Sequence, residues 1–161
     1  MALIPNRDKP ARGFVGTWAD MSEDNARTGM AGSSFAAGVP LTNGSAEGEF
    51  VPLTTGKRFT GIALSTVDMA GTPTGDGAPT FKTGQIFGIA DMGTVFVLAG
   101  AGVTEGATPY YEVATRKFHG ASASGRLPLT GCEFDSAAAN GSPVALRLRL
   151  TPGGANVTAA T

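Results

Sequence analysis

Glycine and proline punctuate this chain from end to end, at 24 and 10 of its 161 residues, about a fifth of the whole. Relative to alanine, each Gly costs a helix interior about 1 kcal/mol and each Pro about 3, so long regular helices are disfavoured and frequent turns are expected. Hydrophobic residues make up 42 % and charged ones 16 %, which is too apolar for a disordered chain. No run approaches the roughly 20 apolar residues of a membrane span. The chain therefore predicts a soluble all-β domain, a compact antiparallel sandwich or barrel, jelly-roll-like. Its length suits one domain whose core needs no metal or disulfide staple.

Short apolar runs recur between turn signals at Gly13–Trp18, Phe35–Leu41, Gly48–Leu53, Phe59–Ser65, Gln85–Ala90, Thr94–Ala99, Thr108–Val113, Gly131–Phe134 and Val144–Leu150, a strand inventory for such a fold. Asn43-Gly44 and Asn140-Gly141 tolerate positive φ between apolar runs, where tight connections are needed. Asp20–Arg27 is the one polar stretch with helix-start character, with Ser22 ahead of acidic residues, and predicts at most a turn or two of helix. Ala70–Lys82 is rich in Gly and Pro and reads as an exposed loop. Met1–Arg12, with two prolines and no periodicity, reads as an extended arm. The domain proper spans residues 13–150, and the small, uncharged segment 151–161 reads as a tail.

Twelve Lys plus Arg against 13 Asp plus Glu leave a net charge of −1, which lacks the phosphate attraction that drives nucleic-acid binding. Met1–Lys9 has no apolar h-region, so export by a signal peptide is not expected. One cysteine, Cys132, excludes an intramolecular disulfide and a thiolate zinc cluster and suits a reducing compartment. The sequons at Asn43, Asn140 and Asn156 then read as turn chemistry.

Motifs for chemistry are missing. His119 is the only histidine, no G-x-S-x-G elbow accompanies it, and the expectation is that neither a nucleophile nor a carboxylate is arranged around it in a cleft. Cys132 stands in a predicted strand and reads as a small buried hydrophobe. The acid pairs Glu47/Glu49 and Glu133/Asp135 each project to one face of a strand, but the aromatics that line sugar clefts are scarce. Asp76 lacks the acidic series of a calcium loop. Gly100-Ala101-Gly102 and Gly106 miss the dinucleotide spacing. No cofactor or metal is expected, and no enzymatic activity.

Contact residues are the better prospect. Leu146, Leu148 and Leu150 alternate with Ala145, Arg147 and Arg149, so one strand face is core and the other carries two arginines. Those arginines serve either a solvated face that discourages edge pairing or a partner interface. Trp18 is either an anchor for its own core or a hot spot. Ile4, Pro5 and Arg7 in the arm complete the candidate interface set.

Several segments together resemble the cement, or decoration, proteins of tailed-phage capsids. They are Gly13-Phe14-Val15-Gly16 leading to Ala19-Asp20 and a polar run, Phe35–Val39 with Pro40-Leu41, Phe59–Leu64, and Thr94-Val95-Phe96-Val97 continuing through Gly102–Thr108 to Pro109-Tyr110-Tyr111. The resemblance runs from about Arg12 to Leu150, and departs from the pattern at the Ala70–Lys82 loop and the tail. It implies a non-enzymatic, β-rich homo-oligomer, a dimer or trimer. It implies that the protein is made in the host bacterial cytoplasm and binds the outer capsid surface of the virion. There it bridges neighbouring capsomers through the major capsid protein, with neither nucleic acid nor membrane as partner. The alternative is a phage tail, baseplate or receptor-binding β-module, and a small β-fold hydrolase or lectin-like enzyme stands third.

Overall fold

The computed structural model describes residues 15–65 and 80–161. The arm, with Ile4, Pro5 and Arg7, and most of the Ala70–Lys82 segment, with Asp76, lie outside these residues. Among the described residues there is no helix. The strands are β1 (Trp18–Ala31), β2 (Phe35–Ala36), β3 (Pro40–Asn43), β4 (Glu49–Pro52), β5 (Lys57–Arg58), β6 (Gly61–Leu64), β7 (Thr80–Phe81), β8 (Ile86–Leu98), β9 (Tyr110–Glu112), β10 (Lys117–His119), β11 (Arg126–Pro128), β12 (Cys132–Phe134), β13 (Pro143–Arg149) and β14 (Asn156–Val157).

The all-β expectation holds. A seven-stranded sheet runs β1-β4-β3-β6-β8-β13-β12 and closes on itself because β1 also pairs with β8. The result is a small barrel of β1, β4, β3, β6 and β8, with β13 and β12 continuing as a wing. A ring with an odd number of strands cannot alternate direction all the way round. The parallel seam falls at β1 and β4, where Met30 faces Glu49 and Ala31 faces Phe50, and every other ring pairing is antiparallel. Asn43-Gly44 opens the β3–β4 hairpin as expected. Glu49 secures that hairpin by accepting from the backbone N–H of Ser45 at 2.8 Å and of Ala46 at 3.0 Å.

β8 organises the fold. One of its edges pairs with β1, while the other passes from β6, at Gly88–Ala90, to β13, at Met92–Leu98. The handover is at Asp91–Gly93. Before it, Ala90 faces the larger core while Phe87 and Ile89 face the smaller one, and after it Val95 and Val97 face the larger core. Gly93 sits there at φ +110, a conformation that side chains disfavour, and lets one strand serve two cores.

The smaller core fills the barrel and centres on Phe35, Phe81 and Phe87, whose ring centroids lie 4.9 to 5.6 Å apart. The larger one lies between the β8–β13–β12 wing and the three-stranded sheet β10-β9-β11, and joins Val95, Val97, Val144, Leu146 and Leu148 to Tyr111, Phe118 and Leu127. The predicted alternation of Leu146 and Leu148 into the core is borne out, each being 0 % exposed.

Three expectations are corrected. Asp20–Arg27 is not helical; it belongs to β1, and its pairing with β8 slips between Asp20 and Asn25. The polar run bulges out of a strand whose pairing partner overrides its local preference. The end of the Ala70–Lys82 segment is not exposed loop, because Phe81 pairs with Phe35 and is 0 % exposed. The 151–161 segment is no free tail, since β14 pairs with β5, Val157 is buried, and Ala160 exchanges hydrogen bonds with Gly125 and Arg126. Val157 is the one residue there large and apolar enough to hold it down.

Candidate functional site

Of the candidate interface residues, Trp18 comes first in the described chain. It starts β1 opposite Val95, is half-buried, and packs against the larger core of its own chain.

Arg147 and Arg149 share the outer face of the wing, and β13 is not the edge strand that the solvated-face reading assumed. It lies between β8 and β12. Across that face Arg147 lies opposite Thr94 on one side and Glu133 on the other, and Arg149 lies opposite Met92. Arg147 donates to Glu133 Oε1 at 2.9 Å and to Asp135 Oδ1. The Glu133/Asp135 pair therefore does share a face, as the sequence predicts, and serves to hold an arginine. All three side chains keep substantial exposure, so the ladder adds little to stability. Its effect is to orient Arg147. Met92 beside Arg149 is one of only three exposed large apolar residues among those described, with Ile86 and Val113.

The true open edge is β12. From its flanking bonds, Arg149 N–H to Gly131 O and Asp135 N–H to Ala145 O, the odd positions face β13 and Cys132 and Phe134 face outward. Phe134 is already covered, because its N–H bonds to Ala107 O and its C=O accepts from Gly106 N–H.

Three cavities run consecutively from this edge around the end of β13. The first, ≈ 470 Å³, is lined by Gly131, Cys132, Glu133, Arg147 and Arg149. It shares Gly131 with the second, ≈ 170 Å³, which in turn shares Phe59, Leu150 and Thr151 with the third, ≈ 130 Å³. The third holds Arg27, Arg58 and Asp91. There Arg27 donates to Thr60 O at 2.8 Å and lies 3.8 Å from Asp91 Oδ2, its guanidinium 5.1 Å above the Phe50 ring. Asn25 donates to the other Asp91 oxygen at 2.8 Å. Among the described residues Arg58 Nε, like Arg126 Nε elsewhere, is buried with no hydrogen-bond partner. The two added arginines, Arg27 and Arg58, escaped sequence analysis because they stand far apart in sequence and in no motif.

His119 differs from expectation in one respect, since a carboxylate does meet it. Its Nε2 lies 3.2 Å from Glu112 Oε2, and its Nδ1 accepts the backbone N–H of Ala101 at 3.1 Å. The proton therefore sits on Nε2 and is donated to Glu112. Burial first, then the Arg126 guanidinium, hold the imidazole below its ordinary pKa. The second neighbour of Glu112 is the Thr115 hydroxyl, which donates to the carboxylate at 2.5 Å rather than to the imidazole. No nucleophile faces His119 among the described residues, so the cluster is a brace between β9 and β10. Burial pushes the Cys132 thiol up, away from the thiolate, and its one hydrogen bond goes to Thr130 O. Among the described residues no group of three metal-ligating side chains converges.

A family model described as structural cement protein (E217 gp24/Pam3 gp6) matches residues 4–149. A chain from the capsid of Myoviridae phage XM1 has a similar fold, at TM-score 0.69 and 17 % identity over 87 % of this chain and 92 % of that one. No curated protein matches.

Proposed function

The chain belongs to the family of phage structural cement proteins, and on that premise we propose that it binds the outer surface of the assembled head and ties neighbouring capsomers together. It is a capsid-stabilising structural protein of a phage particle; the bridging, the outer surface and the direct partner, the major capsid protein, are the proposal. The family match over residues 4–149 carries it.

The physics of such a tie is modest per copy and large in sum. An interface of about 1,600 Å² gives a gross apolar term in the low tens of kcal/mol at about 25 cal/mol per Å². Ordering and desolvation remove most of this, yet a net few kcal/mol repeated at every symmetric position resists separation of the capsomers as a multivalent contact. A closed dimer or trimer, made in the host bacterial cytoplasm, would match the twofold or threefold axes of a shell without growing fibres. The arm Met1–Arg12, including Ile4, Pro5 and Arg7, is assigned to intermolecular contact, as are Arg147 and Arg149. Catalysis has no part in this reading, and among the described residues no nucleophile faces His119.

The receptor-binding alternative calls for aromatic side chains gathered in an exposed groove. The exposed large apolar residues among those described are Ile86, Met92 and Val113, none of them aromatic.

The test is mechanical. Heads assembled without the protein should form, then release DNA at a lower temperature than decorated heads, and added protein should restore their resistance. Equal resistance of bare and decorated heads, or location of the protein on the tail in a particle map, overturns the reading.

A further inference from the structure

Eight of the nine phenylalanines lie among the described residues, and seven of those are buried in the two cores. Phe96 is the exception. It is half-buried and takes the outer face of the wing, between Val95 and Val97, which face the larger core, and opposite Ala145. Beside it opens a cavity of ≈ 290 Å³ walled by the Ala137–Ala139 run with Ser136, Ser142 and Pro143. No charged side chain lines this cavity, so it suits an apolar occupant. Its wall is held off Phe96 from behind, because Ala138 donates its N–H to Val103 O, Ser142 to Ala139 O, and Ala145 to Ser136 Oγ at 3.1 Å.

We infer that Phe14, the ninth phenylalanine, docks on Phe96 over this cavity and clamps the root of its own N-terminal arm to the outer face of the wing. The place where the described chain begins selects this occupant. Val15 is anchored in the larger core, Gly16 donates its N–H to Phe96 O at 2.7 Å, and Phe96 donates its own to Thr17 O at 2.9 Å. The exit is rigid, since Gly16 sits at φ +84 and a Cβ there would meet Ala37 Cβ at 2.6 Å. Two Cα steps of about 3.8 Å each separate Phe14 from Gly16, which brings its ring within reach of the spacing of aromatic pairs, about 4.5–7 Å between centroids. Burial of two aromatic faces favours the contact. The other large apolar residues of the arm, Leu3 and Ile4, are separated from Val15 by ten residues or more, so seating them costs more chain entropy. The Phe14 of a second copy lacks the tether altogether and with it the high effective concentration. With its root fixed there, the arm starts from the face that carries Arg147 and Arg149. The clamp needs nothing from the capsid-binding reading.

The experiment uses the intact protein and reads tryptic cleavage after Arg12 by mass spectrometry, with cleavage after Arg7 as internal reference and the same two bonds in free arm peptides as the unprotected standard. Arg12 should be protected in the wild type. Phe14→Ser should raise its relative rate at least fivefold, whereas Phe14→Leu, still apolar, should raise it less than twofold. Phe96→Ser should act as Phe14→Ser does, and combining the two should add nothing. If Phe96→Ser melts early, Ala137→Lys, on the exposed rim of the cavity, takes its place. In a Cys132→Ala background, Gly13→Cys and Ala137→Cys treated with a short bismaleimide should link within one chain, and Phe14→Ser should slow that reaction at least fivefold. Equal Arg12 cleavage in wild type and Phe14→Ser, additive effects of the pair, or links formed between two chains overturn the inference. No heads enter the test, so its failure leaves the capsid reading standing, and protein that ignores bare heads leaves the clamp standing.

Discussion

The ring of His119 lies over Gly100 so closely that a Cβ on residue 100 would meet Cε1 at 2.2 Å and Nδ1 at 2.4 Å. Gly100 also donates its N–H to Phe118 O at 2.6 Å, and the next N–H, that of Ala101, goes to His119 Nδ1. The end of β8 and the β9–β10 hairpin are thus fastened through one glycine and one histidine.

Gly100→Ala should therefore destabilise the isolated protein by about 2–3 kcal/mol, since the ring is buried and cannot swing clear. At about 2–4 °C per kcal/mol for a chain near this size, thermal unfolding should show a fall of roughly 4–12 °C. An unchanged melting temperature would mean that the hairpin moves freely on β8.

Acid should loosen the same contact. The unfolded chain takes up the His119 proton near the ordinary value of 6.5, whereas burial and Arg126 make the folded chain resist it to lower pH. His119 therefore contributes stability that is full above pH 6.5 and is lost as pH falls through the folded value. Glu112, held below the ordinary 4.5 chiefly by the Thr115 hydroxyl, adds a further loss in more acid solution. Melting curves from pH 8 to 5 should slope downward below 6.5 in the wild type, and His119→Gln should flatten that part of the profile.

On β13, adjacent residues should behave oppositely. Leu146→Ala empties a fully buried site and should cost about 3 kcal/mol. Arg147→Ala breaks two exposed ion pairs and should cost about 0.5–1 kcal/mol. Chemical denaturation of the two variants measures the contrast, and comparable losses would contradict the division of the strand into core and outer faces.

Deleting residues 151–161 should lower stability by about 2 kcal/mol, the scale of burying one valine, because Val157 leaves the larger core and β5 loses its partner. Chemical denaturation of the shortened chain checks this. A shortened chain as stable as the full one would restore the view of this segment as a tail.

What the sequence determined by itself was the class of fold and the inward face of its strands. Glycine and proline at about a fifth of positions bar long helices for local reasons, and period-two alternation at Leu146 and Leu148 follows from strand geometry alone. The family resemblance was legible in the same way, as short segments in order along the chain. Pairing was not legible, because it depends on which strands meet across long stretches of chain. Only the tertiary structure decided that β1 closes a barrel on β8 and thereby pulls the polar Asp20–Arg27 run into a strand. It likewise covered β13 with β12, turning two edge charges into Arg147 held by Glu133 and Asp135 and Arg149 beside Met92. The cavity beside the end of β13 brings Arg27 and Arg58, from β1 and β5, to Asp91 of β8. Such a site is a product of barrel closure, and local sequence carries no trace of it.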